Sequence, residues 1–193
     1  MRPVPTSIAA KVARAAELFA ERGFEQTKID DIAEVTGVPK TTLYYYFAGK
    51  AEILVFLQRD LIVEVADAVS IAVDGDGTAA ERLRAVVRAQ LQVMADRPAA
   101  WRAFVADLGR ATQLPELVEV LDTAYYRPVQ GLLREGTEDG SLRPVADEAT
   151  VAMAVFGAAT MAGLHHILAG DALDVDRIAD QVTGIVVGGL AAG

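Results

Sequence analysis

From Lys40 to Lys50 the chain reads Lys-Thr-Thr-Leu-Tyr-Tyr-Tyr-Phe-Ala-Gly-Lys, a cluster of hydroxyls between two ammonium groups. Tyrosine and threonine hydroxyls, lysine ammonium groups and the free amides of a helix start are the groups that hydrogen-bond phosphate oxygens, and such contacts set a protein's register on DNA. Leu43 and Phe47 form an i, i+4 apolar pair that must turn inward on a helix. Lys40, Thr41, Thr42, Tyr44, Tyr45 and Tyr46 are then left on its other sides. Recognition helices present their N-terminal residues to base edges in the major groove. On that geometry Lys40 matches guanine O6 and N7, the Thr41 methyl matches a thymine methyl, and Thr42 serves a base or a phosphate. Lys50, in the first turn of the next helix, is expected to hold one more phosphate. The plainer alternative is that the tyrosines only cover a small helical bundle.

The elements that must position this cluster follow from periodicity. Apolar residues recur at helical spacing almost throughout, and no stretch sustains the alternation of a half-buried strand, so the fold class is all-α. A first helix from about Ser7 carries Ile8, Val12, Ala15 and Phe19 and stops at Gly23, after which Phe24 folds back. Thr27 is read as the N-cap of a second helix, with Asp30 as its capping partner, and Pro39 as the start of a third. Two short helices separated by Thr36-Gly37-Val38 make a helix-turn-helix. A fourth helix of about 24 residues from Lys50 is broken by Asp74-Gly75-Asp76-Gly77. Thr78 with Glu81 caps a fifth, Pro98 starts a sixth, and a seventh from Leu114-Pro115 to about Gly136 is expected to kink at Pro128. The eighth and ninth span about Asp147–Ala169 and Val175–Leu190.

Composition bounds the class. At 193 residues the chain is long enough to bury about 70% of its unfolded surface. With no cysteine it has no thiol catalysis and no cysteine metal site. The net charge of −9 argues against a polyanion partner, but it is unevenly placed. Residues 1–50 sum to +1 and hold all four lysines, Lys11, Lys28, Lys40 and Lys50, whereas residues 51–193 sum to −10. Only one end suits a polyanion.

Other features carry less. Gly75-Asp-Gly-Thr-Ala-Ala80 fits a dinucleotide fingerprint in letters only, since it follows a helix and not a strand. A calcium loop from Asp74 would need glycine at Ala79 and glutamate at Ala85. Adjacent His165 and His166 diverge by about 100° on a helix and cannot share one metal. No metal or cofactor is therefore expected. Three serines and two histidines without a G-x-S-x-G or H-E-x-x-H pattern argue against an enzyme. The 22 uncharged residues from Ala149 to Gly170 are long enough for a membrane span. Their acidic flanks, two histidines and the Ala154, Ala158, Ala162 stripe fit a helix packed against helices better, so no membrane partner is expected. The polar lead before Ser7 lacks a signal-peptide pattern, and the expected location is the cytoplasm. If a small-molecule pocket exists, Trp101, Phe104, Leu108, Tyr125, Tyr126 and Met161 are its candidate lining. A tyrosine hydroxyl or Asp107 would orient a mostly apolar ligand, with His165 as a further hydrogen-bonding candidate. Such residues at helical spacing are also ordinary core.

The stretch from Thr27 to Lys50, with Thr36-Gly-Val-Pro-Lys-Thr-Thr-Leu-Tyr-Tyr-Tyr-Phe47 at its centre, resembles the DNA-binding signature of the TetR family of transcriptional regulators. The resemblance covers residues 7–57 well. It implies a homodimer with a DNA-binding head over residues 1–48 and a ligand-sensing, dimerising body over 49–193. It also implies a two-fold operator and, in most members, repression. Positions matching Thr27, Lys40, Thr41, Thr42, Tyr44, Tyr45, Tyr46 and Lys50 would contact DNA, and Lys28 is assigned to the same face. The family's dimer uses the last two helices, which here offers Ala154, Ala158, Ala162, His166, Ile178, Val182, Ile185 and Gly189. Thr41 and Asp30 depart from the family's usual residues, so the bases read here are expected to differ. A helical adaptor that binds no DNA is the competing class.

Overall fold

The computed structural model describes residues 2–106 and 115–190, and among these the chain is helical without a strand. The helices are α1 Thr6–Val12, α2 Ala15–Gln26, α3 Ile29–Thr36, α4 Lys40–Tyr46, α5 Lys50–Val73, α6 Ala79–Asp96 and α7 Pro98–Ala106. They continue as α8 Pro115–Leu121, a π-helical turn Asp122–Tyr126, α9 Arg127–Glu138, α10 Glu148–Ala169 and α11 Val175–Leu190. The all-α reading therefore holds. Two compact units divide the described chain, one of residues 2–61 and 99–106, the other of residues 62–98 and 115–190. α5 runs unbroken through the division.

In the first unit the single opening helix of the sequence reading is two. The hydrogen bonds tighten to i→i−3 spacing between α1 and α2, with Arg14 N–H on the Lys11 carbonyl at 3.2 Å and Ala16 N–H on Ala13 at 3.1 Å. Gly23 then turns the chain at φ 71°, ψ 172°, which returns the Phe24 ring to within 6.3 Å of Phe19. Thr36 and Gly37 make the turn between α3 and α4. The Thr36 hydroxyl donates to Ile32 O at 2.6 Å and accepts from Val38 N–H at 3.3 Å, and Gly37 takes the left-handed conformation. Val12, Phe19, Ile32, Leu43, Phe47 and Ile53 are buried at this unit's centre.

In the second unit α6 packs with α9, α10 and α11. Its start carries the anticipated capping box, with Thr78 N–H on the Glu81 carboxylate at 2.8 Å and Glu81 N–H on the Thr78 hydroxyl at 3.3 Å. Two further donors there go to the loop after α9: Ala79 N–H to Asp139 and Ala80 N–H to the Ser141 hydroxyl. α10 is long and apolar enough to cross a membrane, yet one side of it is buried against its neighbours. Gly163 permits the close approach, because a Cβ there would sit 2.7 Å from the Met94 Cε. Gln90 crosses the same contact, its amide donating to the Thr160 hydroxyl at 2.8 Å and to Phe156 O at 3.2 Å.

Where the sequence predicts a kink at Pro128, the structure has a π-helical turn over the five residues Asp122–Tyr126. Proline has no N–H to continue an α ladder, and the preceding turn widens to i→i+5, with Arg127 N–H on the Asp122 carbonyl. Tyr125 is thereby fully buried, edge-on to Phe156 at 5.0 Å. Its hydroxyl has no hydrogen-bond partner among the described residues. Burial, and to a lesser degree the neighbouring Tyr126, push its pKa far above the ordinary tyrosine value. An unpartnered buried donor is costly, so Tyr125→Phe is expected to raise the stability of the unliganded protein by about 1 kcal/mol. Urea unfolding checks this, and a loss of stability would show that the hydroxyl is bonded.

Candidate nucleic-acid interface

α4 is short and faces two ways. Leu43 is fully buried and Phe47 is 2% exposed, so the pair read as its inner face does pin it down. On the outer face Tyr44 is 56% and Tyr45 58% exposed, with Lys40 and Thr41 also exposed and Thr42 and Tyr46 half-buried. Tyr45 and Tyr46 meet edge to face at 4.9 Å, and the Arg2 guanidinium lies 4.3 Å over the Tyr45 ring. The outcome is a stub of helix with its ammonium at the N-terminus, its hydroxyls outward and a cation laid across one ring.

Two sequence expectations change here. Thr27 is fully buried, and its hydroxyl donates backward to Gly23 O at 2.7 Å and to Leu18 O at 3.4 Å. It closes α2 and has no free surface for DNA. The start of α3 is capped instead by Asp31, whose carboxylate accepts the Lys28 N–H at 3.2 Å, so the anticipated Asp30 partner is displaced by one residue. Asp30 is ion-paired with Lys40. A carboxylate thus neutralises the leading ammonium of α4, a feature that spacing alone did not reveal. Asp30→Asn is expected to raise affinity for a random-sequence duplex by about threefold at low salt, since an exposed pair is worth about 0.2–1 kcal/mol. Unchanged binding across a salt titration would show that the pair does not hold Lys40 back.

Lys50 is placed differently from its expected outward role. Its Nζ donates to the carbonyls of Phe24 at 2.7 Å, Glu25 at 3.0 Å and Thr27 at 3.0 Å, and lies 4.5 Å over the Phe24 ring. Lys28 is exposed beside the same junction.

The remaining candidates separate. Trp101 and Phe104 are buried in the first unit, ring centroids 5.7 Å apart, whereas Tyr125 and half-buried Tyr126 lie in the second. Asp107 and Leu108 lie outside the described residues. Met161, 62% exposed, and His165, also exposed, stand on the outer side of α10 and not in its core. That outer side also carries Ala154, Ala158, Ala162, Met153 and Leu168, because positions three, four and seven apart share a helix face. His166 is half-buried. On α11, Ile185 is 79% exposed and Gly189 is exposed, but Ile178 and Val182 are buried. The apolar stripe of α11 is thus divided, its earlier residues turned inward in the unit where α11 packs on α6.

A family model described as bacterial regulatory proteins of the tetR family matches residues 12–55, and one described as a tetracyclin repressor-like C-terminal domain matches residues 76–190. The chain belongs to the TetR family. It is a DNA-binding transcriptional regulator and not an enzyme. The transcriptional repressor KstR2 of Mycolicibacterium smegmatis is 26% identical over 178 residues, 91% of this chain and 86% of that protein. The Bacillus subtilis regulator FadR, solved in complex with stearoyl-CoA, superposes with a TM-score of 0.77 at 22% identity, over 94% of this chain and 98% of that one. AibR, solved with isovaleryl coenzyme A and operator DNA, superposes with a TM-score of 0.72 at 21% identity, over 93% and 97%. These superpositions carry the TetR fold across both units.

Proposed function

We propose that the chain is a ligand-released repressor of the cytoplasm that binds a two-fold operator as a homodimer. The observation that carries this reading is α4, whose Lys40, Thr41, Tyr44 and Tyr45 are exposed while Leu43 and Phe47 anchor it. In each head Lys40 and Thr41 read base edges. Thr42, Tyr44, Tyr45 and Tyr46, with Lys28 nearby, contact phosphates and sugars and set the register. The outer face of α10, with Ala154, Ala158, Ala162 and Met161, and the exposed Ile185 and Gly189 of α11 meet their counterparts in a second copy. Small residues allow the helices to approach closely. Two-fold symmetry of the protein then demands a palindromic operator.

The effector is a mostly apolar molecule taken into the helical body. The coenzyme A thioesters bound by FadR and AibR make a long-chain acyl-CoA the first class to test. Tyr125, whose hydroxyl has no hydrogen-bond partner among the described residues, is suited to orient its polar end. A ligand that prefers one conformation of the body shifts α5, which is covalently continuous with the head, and so alters operator fit. Selection from a random DNA pool tests the reading: an enriched motif with dyad symmetry is expected, weakened by stearoyl-CoA. A pool that returns no motif would sink it.

A further inference from the structure

Lys50 occupies the first position of α5, the wrong end of that helix for a cation. Its side chain does not stay there. It reaches the junction where α2 closes and α3 begins, and the three carbonyls it meets belong to residues 23 to 26 positions earlier. Carbonyls at the end of a helix have no intrahelical donors and carry the negative end of the macrodipole. The break at Gly23 adds to this by interrupting the α2 ladder one residue before Phe24. An ammonium has three protons, and here three carbonyls stand within 3.0 Å of one nitrogen. The Phe24 ring closes another side of the charge. A phosphate would have to draw Nζ away from all of these partners.

We propose that Lys50 is a positioning residue, a cationic knot that makes the α2–α3 junction move together with the first turn of α5, and not a phosphate contact. This rests on the reading above in which α5 carries the effector's signal to the head. The knot supplies what a covalent link cannot. Phe47, Ala48 and Gly49 join α4 to α5 by a three-residue link, whereas Lys50 ties α5 to the opposite end of the helix-turn-helix. The head then turns as a body with α5.

The test uses the full-length protein, its Lys50→Met and Lys50→Arg variants, and a random-sequence duplex, whose affinity reports phosphate contacts without knowledge of the operator. Without DNA, Lys50→Met is expected to lower the melting temperature by a few degrees. An unchanged melting temperature overturns the proposal whether or not the protein binds DNA. With the duplex, the Met variant is expected to bind about tenfold more weakly with the wild-type salt slope. A slope shallower by about one marks a lost phosphate contact and overturns it. Lys50→Arg keeps the charge but has a planar fork that cannot converge on three carbonyls around one point. It is expected to bind as weakly as Lys50→Met, and wild-type affinity in that variant equally overturns the proposal. If Lys50→Met does not fold, the arginine variant decides alone. Failure of the wild type to bind any duplex would sink the DNA reading and leave the melting test of the knot standing.

Discussion

Phe47→Ala is expected to abolish duplex binding. Phe47 is 2% exposed and meets Phe56 edge to face at 5.4 Å, just beyond the last residue of α4. Truncating a buried phenylalanine costs about 3–5 kcal/mol, from lost transfer free energy and the cavity left behind. An aromatic pair of this geometry adds about 0.5–1.5 kcal/mol to what is lost. α4 has seven residues, too short to persist as a helix without its packed face. Lys40, Thr41, Tyr44 and Tyr45 would then be displayed on a fluctuating segment, with a fall in duplex affinity of roughly a hundredfold or more. Parallel urea unfolding and duplex titration check this. Wild-type affinity in a variant that has lost the stability would mean that the tyrosine face is not the reading surface.

Ala158→Arg is expected to convert the dimer to monomer. Ala158 is half-buried on the outer side of α10, within the stripe that Ala154 and Ala162 continue. In a single copy an arginine there has solvent to enter and suits a helix, so the fold survives. In a two-fold dimer the same substitution brings a guanidinium from each copy into one apolar contact. An uncompensated buried charge costs about 3–5 kcal/mol, or two to three orders of magnitude in the dimerisation constant. Operator affinity falls with it, because a lone head meets one half-site. Sedimentation of the variant at micromolar concentration measures the outcome, and an intact dimer would place the interface elsewhere.

What could be read in the residues was what short-range periodicity decides. Leu43 and Phe47 stand out because they are the apolar i, i+4 pair in an otherwise polar helix, and Thr78 with Glu81 because both partners of the capping box lie within one turn. Where a turn or a distant segment supplies the deciding partner, local signals pointed the wrong way. Thr27 is a hydroxyl just ahead of a helix and reads as an N-cap, yet the turn at Gly23 offers it a carbonyl behind, and it bonds there. Lys50 reads as a free cation until the chain folds and three carbonyls converge on it. Met161 and the Ile178–Val182 pair show a different limit. α10 is apolar around most of its circumference, so its sequence alone could not say which side faces the core, and α11 presents one stripe of which α6 covers only a part. Only tertiary packing settles such faces.

The widened turn before Pro128 holds one residue more than an α-helical path of the same direction requires. The wide turn absorbs that residue, so the helical turns on either side keep the phase they would share in a regular helix one residue shorter. The bulge therefore works as a take-up turn: it seats Tyr125 in the interior while Val129, Leu132 and Leu133 stay buried beyond it. Deleting one residue there would spare the turns on either side and fall on the contact between Tyr125 and Phe156.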